Sequence, residues 1–374
     1  MIKFLHCADV HLDSPLSCLN HAVGERLRDS LKQTFLDMLT FAKEENLSMV
    51  LIAGDLFDTG YIRESTVKDV KAAMGALSCP VIISPGNHDP YHKTGAYTAL
   101  AELENVYLFT SREMQRFDFD DMGVSVSGYA FTEDRLDTCP LSEDYELSEQ
   151  NINVLCAHAD MLSPVSKYAP LRPAHLSESG FSYAALGHVH KAPPAETFGR
   201  TLAAYCGFAQ GRSYDEPGYG GAMIVSITED GRATAEKRLF SRTQYLTIKM
   251  DISGAEDGAD VLKAMQKAIE SGGYGEETSL RVVLGGVVSP DCEIRKDRLV
   301  AAFPSLAQLE VRDDTIPVYN LSYLENDLTI KGEFYRALKD KLFSNDDYER
   351  KVAAKALKIG LCALDGRPCD KEEL

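Results

Sequence analysis

Five short stretches of this 374-residue chain carry side chains that bind metal ions, and each follows a run of apolar residues. Cys7-Ala8-Asp9-Val10-His11 offers a carboxylate and an imidazole two positions apart. In extended chain that spacing puts both on one side. Gly54-Asp55-Leu56-Phe57-Asp58 offers two more carboxylates. Gly86-Asn87-His88-Asp89 combines an amide oxygen, a titratable ring and a carboxylate able to orient a histidine, between the stiffening Pro85 and Pro90. Ala157-His158-Ala159-Asp160 and Gly187-His188-Val189-His190 complete the set, and the last repeats the spacing of Asp9 and His11. Each stretch alone has an ordinary explanation: Asp55 as a helix cap, or the Asn-Asp-Pro-Gly loop as a plain turn. Five histidines (His11, His88, His158, His188, His190) fall in such loops, which favours one shared site. His6, His21, His92 and His175 read as surface or satisfied structural residues.

The donors mix oxygen with nitrogen and include no cysteine, which argues against a structural zinc site. Carboxylate, amide and imidazole together suit Mn²⁺, Fe²⁺ or Zn²⁺ better than Ca²⁺. They are too many for one ion and about right for two divalent metal ions sharing a carboxylate. Two ions roughly 3.5–4 Å apart activate a hydroxide and clamp a phosphoryl oxygen. Manganese (Mn²⁺) is expected first, with Fe²⁺, Zn²⁺ or Mg²⁺ as alternatives.

The apolar runs at 2–5, 50–53 and 81–84 read as buried strands. Between them lie helical stripes: Leu27, Leu31, Phe35, Met38, Ala42, then Val67, Val70, Met74, Leu77. This β-α-β-α-β order predicts a parallel sheet with right-handed crossovers, and ligands in such sheets collect beyond the carboxyl ends of the strands. From 105 to 130 the pattern changes to short alternating strands, with an acidic turn at 117–121. Buried strands follow at 152–156 and 183–186, another strand at 201–207, and a closing hairpin at 222–240. The glycine-rich loop from Gln210 to Gly221 either brings Arg212 to a phosphate or is a wide hairpin turn.

Composition shifts near Arg242. Segments 245–251, 260–269, 279–288, 296–303 and 307–312 suggest a small β-α-β-α-β unit without site chemistry. Two helices follow, with Phe334, Leu338 and Leu342 on one face of the first and Tyr348, Val352, Ala356 and Ile359 on one face of the second. They either fold onto their own domain or dock a partner. The expected division is a site-bearing domain at 1–243, a small α+β capping domain at 244–317 and a C-terminal helical segment at 318–374.

Nine cysteines without a paired pattern fit a reduced cytoplasmic protein. No apolar run approaches the ~18 residues of a membrane span, and the opening residues do not read as a signal peptide. The formal charge of −18 argues against a protein that grips nucleic acid with its whole surface. A polyanionic substrate would need metals, a partner, or a local basic face, for which Arg63, Lys93, Arg172, Lys191, Arg200 and Arg212 are candidates.

The order Asp-x-His, Gly-Asp-x-x-Asp, Gly-Asn-His-Asp, His, Gly-His-x-His resembles the calcineurin-like metallophosphoesterase superfamily. The extended forms Leu5-His6-Cys7-Ala8-Asp9-Val10-His11-Leu12-Asp13, Gly54 to Asp58 and Gly187 to His190 are similar to its DNA-repair exonuclease branch, the SbcD-type and particularly YhaO-type proteins. The resemblance covers roughly the first two thirds of the chain. It implies an α/β fold, a two-sheet β-sandwich flanked by helices. It implies one metal held by Asp9, His11, Asp55 and His190 and another by Asp55, Asn87, His158 and His188. His88 would act on the transition state. Apart from the resemblance, Asp58 and Asp89 are expected to support the ligands and Arg212 and Arg63 to meet substrate. The activity implied is a two-metal phosphodiesterase acting on DNA beside an SMC-like ATPase (SbcC-type or YhaN-type), with a homodimer allowed for. Competing readings are a phosphatase or cyclic-nucleotide phosphodiesterase, and a scaffold with a vestigial metal site.

Overall fold

A computed structural model describes the chain except residues 17–20, 59, 61, 93–94, 143, 290–291 and 367–374. Lys93 of the expected basic face lies outside the described residues. The chain divides into two compact units, Met1–Tyr245 and Leu246–Leu374.

The first unit holds, in chain order, β1 (Ile2–Cys7), α1 (His21–Glu44), β2 (Val50–Ile52), α2 (Glu64–Gly75), β3 (Val81–Ile83), α3 (Ala96–Leu100) and β4 (Val106–Leu108). It continues through β5 (Gln115–Phe119), β6 (Val124–Gly128), β7 (Ile152–His158), α4 (Pro173–Ser179), β8 (Tyr183–Gly187), β9 (Glu196–Phe198), β10 (Thr201–Tyr205), β11 (Gly221–Ile227) and β12 (Ala233–Leu239). Two six-stranded mixed sheets result, ordered β12-β11-β1-β2-β3-β4 and β5-β6-β7-β8-β10-β9. Strands β1 to β4 run parallel, as the alternation of strand and helix requires, while β11 returns antiparallel to β1. In the second sheet β6, β7, β8 and β10 are parallel. This is the expected α/β sandwich flanked by helices.

Alternation of side chains along each strand assigns three apolar layers. Phe4, Leu51 and Ile82 face inward and meet Val126, Val154, Cys156, Tyr183 and Ala185 of the second sheet. Their neighbours Leu5, Val50, Ile52, Val81 and Ile83 face outward and meet Leu31, Phe35 and Met38 of α1 and Val70 and Met74 of α2. On the far side of the second sheet Leu155, Ala157, Ala184 and Leu186 pack with Leu176 of α4 and Phe181. Central strands covered on both faces read as unbroken apolar runs, which is why Val50 to Ala53 carries no polar residue. The acidic turn falls later than expected. β5 extends through Phe119 because Phe117 and Phe119 pack on Tyr107, and the reversal occurs at Asp120–Met122 with Gly123 at φ 64°.

The second unit carries β13 (Gln244–Asp251) from Leu246 on, then α5 (Gly258–Gly272), β14 (Thr278–Gly285), β15 (Val287–Val288), α6 (Lys296–Ala301), β16 (Gln308–Asp313) and β17 (Ile316–Pro317). The helices α7 (Leu321–Asn326), α8 (Ile330–Leu342) and α9 (Asp347–Leu364) close the chain. Strands β13, β14 and β16 form one sheet. The side chain of Asp257 caps α5 through the Ala259 and Asp260 N–H groups. Phe334, Leu338 and Leu342 are not a free stripe. They pack on Leu324, Tyr335, Leu357 and Leu361. The face that α9 buries is Ala353, Leu357 and Leu361, one position away from the expected stripe, so Tyr348 and Val352 stand exposed. Lys358 anchors the helix by a half-buried pair with Asp313, Nζ to Oδ2 2.6 Å.

Candidate metal centre

The loops that leave β1, β2, β3, β7 and β8 converge at one edge of the sandwich. The loops after β1 and β2 are joined by backbone bonds: Asp9 N–H donates to Gly54 O, and Val10 and His11 N–H both donate to Asp55 O. Asp9, His11, Asp55 and His188 all have positive φ, at 50°, 51°, 52° and 101°. Non-glycine residues in that region cost free energy and gather where the surroundings over-determine them. This corrects the expected geometry. Asp9 and His11 reach the same place through a left-handed turn, and His188 follows the end of β8, so neither pair converges as extended chain.

Gly54, Gly86 and Gly187 let these loops touch. A Cβ on Gly86 would collide with the Asp55 carboxylate, and one on Gly187 with Ala53 O. A Cβ on Gly54 would overlap the His158 ring.

Asp9, His11, Asp55 and His158 are buried. Asp55 Oδ2 lies 3.6 Å from His11 Nε2 and 3.4 Å from His158 Nε2. On the His11 side, His190 Nε2 is 3.2 Å from His11 Nε2 and 3.8 Å from Asp9 Oδ1. On the other side, Asn87 Oδ1 is 2.9 Å from His158 Nε2 and 3.3 Å from His188 Nδ1. Two donor groups, Asp9–His11–His190 and Asp9–Asp55–His158, each gather within 4.8 Å. Burial pushes the Asp9 carboxyl up to about 6, against the pull of His158 and His190. Burial, then the charge of Arg212, holds His11 well below its ordinary value. Burial and then His158 lower His188 to about 4.

The chemistry of the donors fits a cation. His158 Nδ1 lies 3.0 Å from Ala53 O, a carbonyl that can only accept, so Nδ1 carries the proton. In the tautomer with the proton on Nδ1, the Nε2 lone pair faces Asn87 Oδ1 and Asp55 Oδ2. His190 repeats the arrangement, with Nδ1 donating to Glu216 and Nε2 toward His11 and Asp9. Acceptors aimed at acceptors in a buried site are what divalent ions satisfy, with outer partners fixing the tautomers. This cluster of carboxylate, amide and imidazole donors fits a divalent-metal centre.

His88 lies at the exposed rim. Its Nδ1 is 3.1 Å from Asp58 Oδ1, and that bond, outweighing burial, raises the ring above its ordinary value. Burial opposes ionisation of Asp58, yet bonds from His88 and Ser14 and the charge of Arg212 keep it below the usual range. A His11–Asp58–His88 group therefore sits beside the other two. The expectation that Asp89 orients a histidine is corrected. Its carboxylate accepts from the N–H groups of Asp55, Phe57 and Gly86 and from the Tyr97 hydroxyl. It ties the β2 and β3 loops together, and burial with the Asp55 charge lifts it to about 7.

Arg212 reaches the site, with Nη1 3.5 Å from Asp58 Oδ2. Arg63 is held apart by Glu25, both of whose oxygens lie 2.8 Å from Nη2, and its backbone N–H donates to Asp13. It lines a cleft of about 500 Å³ with Asp13, Pro15, Arg28, Gly60 and Ile62. Arg172, Lys191 and Arg200 are exposed. Sequence reasoning missed Glu216, which binds both His190 and Arg212. Its only signal was an acidic residue four positions after Arg212 in a glycine-rich loop.

The calcineurin-like phosphoesterase family matches residues 2–192. The uncharacterized metallophosphoesterase YhaO of Bacillus subtilis is 27% identical over 238 residues, 61% of this chain and 58% of its own. The chain thus spans less than two thirds of that relative's length. The DNA double-strand break repair protein Mre11 of Aeropyrum pernix is 27% identical over 323 residues, 80% of this chain and 76% of its own. A crystal structure of a dimetal phosphatase from Danio rerio covers 64% of this chain and 96% of its own, at 14% identity and a TM-score of 0.41. Because the family match starts in β1 and runs past the His188–His190 loop, over half of its length, the chain belongs to the calcineurin-like phosphoesterase family.

Proposed function

We propose that the chain is a metal-dependent phosphodiesterase that cleaves DNA. Asp9, His11, Asp55 and His190 hold one divalent ion, and Asp55, Asn87, His158 and His188 hold the other. The observation that carries this reading is Asp55 Oδ2, within 3.6 Å of a ring nitrogen on each side. Divalent ions held there, Mn²⁺ first, supply Lewis acidity toward a phosphoryl oxygen and lower the pKa of water. His88 works at the open rim. Asp58 accepts a hydrogen bond from Nδ1–H and so favours the protonated ring, whose Nε2–H would face the substrate and protonate the leaving oxygen. Asp89 and the three glycines keep the loops at contact distance.

DNA as substrate is supported by the similarity to a protein named for double-strand break repair. The docking reading moves to a different face. Tyr348 and Val352 on α9, with Phe343 before it, are exposed apolar residues among charges of both signs, Asp346, Asp347 and Glu349 beside Arg350 and Lys351, and an amphipathic surface of that kind suits a coiled coil of an SMC-like ATPase. A homodimer is compatible with the same reading. Among the described residues no helix is long and apolar enough to cross a membrane. Among the described residues no cysteine is in a disulfide, which suits a reducing cytoplasm.

The test uses the chain stripped with EDTA, then given Mn²⁺, with linear duplex DNA, bis-p-nitrophenyl phosphate and p-nitrophenyl phosphate as substrates. Mn²⁺-dependent cleavage of DNA and of the diester supports the proposal. Turnover of the monoester alone makes the chain a phosphatase. Metal uptake with no turnover of any substrate makes it a scaffold.

A further inference from the structure

One carboxylate outside the five metal-ligating loops touches both halves of the site. Glu216 lies in the glycine-rich stretch after β10 and is 7% exposed. Its Oε1 accepts from His190 Nδ1 at 2.6 Å and from Arg212 Nη2 at 2.9 Å. Its Oε2 accepts from the Arg212 backbone N–H at 2.8 Å and from Arg212 Nε at 3.3 Å. The remaining guanidinium nitrogen, Nη1, is 3.5 Å from Asp58 Oδ2, and Asp58 Oδ1 bonds His88. The chain of contacts His190–Glu216–Arg212–Asp58–His88 is continuous.

The loop is built to hold this carboxylate still. Glu216 N–H donates to Ser213 O at 3.0 Å, and Gly218 N–H to Tyr245 O at 2.9 Å. Phe208 N–H donates to His190 O. Gly211 allows the backbone of Glu216 to press against it, where a Cβ would collide. Gly207, at φ 71°, leaves no room for a Cβ beside His190 O.

We infer that Glu216 is a positioning residue with two outputs: it fixes the His190 ring with Nε2 toward the metal, and through Arg212 it fixes Asp58 behind His88. The inference rests on the two-metal reading. Arg212 then acts as a strut between two carboxylates. Its guanidinium is neutralised on both sides, so it is not a free anchor for phosphate.

The substitution Glu216→Gln separates this role from a merely structural one. Both oxygens of Glu216 face N–H donors, so an amide in either orientation sets its NH₂ against a donor. Outer partners of metal-ligating histidines typically contribute about 10–100-fold in metal affinity. Calorimetric titration of the EDTA-stripped full chain with Mn²⁺ should show one of two binding events weakened by about that factor in Glu216→Gln, with the other unchanged. Arg212→Met should keep both binding events and lower kcat for bis-p-nitrophenyl phosphate. Two Mn²⁺ affinities within twofold of wild type in Glu216→Gln (about 0.4 kcal/mol) overturn the inference. So does equal weakening of both events together with a lower melting temperature of the metal-free chain, which marks a structural role. A wild-type chain that binds no Mn²⁺ overturns the metal reading itself, and the inference with it.

Discussion

Asp58 Oδ1 stands 3.1 Å from His88 Nδ1, although Asp89 is the carboxylate next to His88 in sequence. The chain thus separates two tasks between two aspartates thirty-one positions apart. Asp58 faces the rim and bonds the His88 ring, while Asp89 faces inward and binds three backbone N–H groups and the Tyr97 hydroxyl.

His88→Ala should lower the turnover of a diester by about 10²–10⁴, the range for a general acid or base, and leave the metal content intact. His88 is not counted among the ligands of either ion, so loss of metal along with activity would reassign it. Asp58→Asn should cost about 1.5–3 kcal/mol of transition-state stabilisation, the value of a hydrogen bond to a charged group. The assay for both is steady-state kinetics with metal analysis on the same samples.

Gly187→Ala probes the packing of the two sheet edges. A Cβ there would meet Ala53 O and Ala8 Cβ, both in buried segments. Overpacking of this kind costs about 1–3 kcal/mol. Thermal unfolding of the metal-free chain should report the loss. A melting temperature equal to wild type would mean that the sheets meet less closely than described.

His6 sets a pH-dependent contribution that has nothing to do with metal. It is fully buried, with Nδ1 2.9 Å from Tyr183 Oη, and burial drives it down to about 3. Unfolded, it titrates near the ordinary histidine value of ~6.5. Below that value the unfolded chain takes up a proton that the folded chain refuses, so stability falls as pH falls from about 6.5 toward 3. Between pH 7 and pH 5 this amounts to about 2 kcal/mol. Urea unfolding in EDTA should show wild type losing that much more than His6→Phe over the interval. Equal losses in the two proteins contradict the assignment.

DNA binding by the isolated chain should be weak and should fall steeply with salt, because a chain of net charge −18 offers only local positive surface. Filter binding at several salt concentrations reads this directly. Tight binding indifferent to salt would require a different mode of contact.

The fold was legible where burial on both faces leaves an unbroken apolar run. Val50 to Ala53 and Val81 to Ser84 read as central strands for that reason, and the parallel order followed from the helices between them. The residues of the candidate centre were legible where chemistry is local: Asp9 and His11 follow β1, Asp55 follows β2, Asn87 follows β3, His158 ends β7, and His188 and His190 follow β8. What was not legible depends on contacts distant in sequence. The left-handed turns at Asp9 and His11 are stabilised by Asp55 O, more than forty residues away, so period-two reasoning could not find them. The partner of Arg63 is Glu25, and Glu216 meets His190 from another loop. On α8 and α9 the apolar positions were visible, yet the choice of buried face belongs to Leu324, Leu357 and Leu361, which no single helix discloses.

Asp55 is the shared element of the proposed centre, so its variant tests the account most directly. The measurement is Mn²⁺ bound per chain after equilibrium dialysis, for wild type and Asp55→Asn, with circular dichroism to confirm the fold. The account predicts two ions in wild type, and in the folded variant the loss of both, because the substitution removes charge from either side of the site at once. A folded Asp55→Asn chain that still binds two ions and turns over a diester like wild type would contradict it.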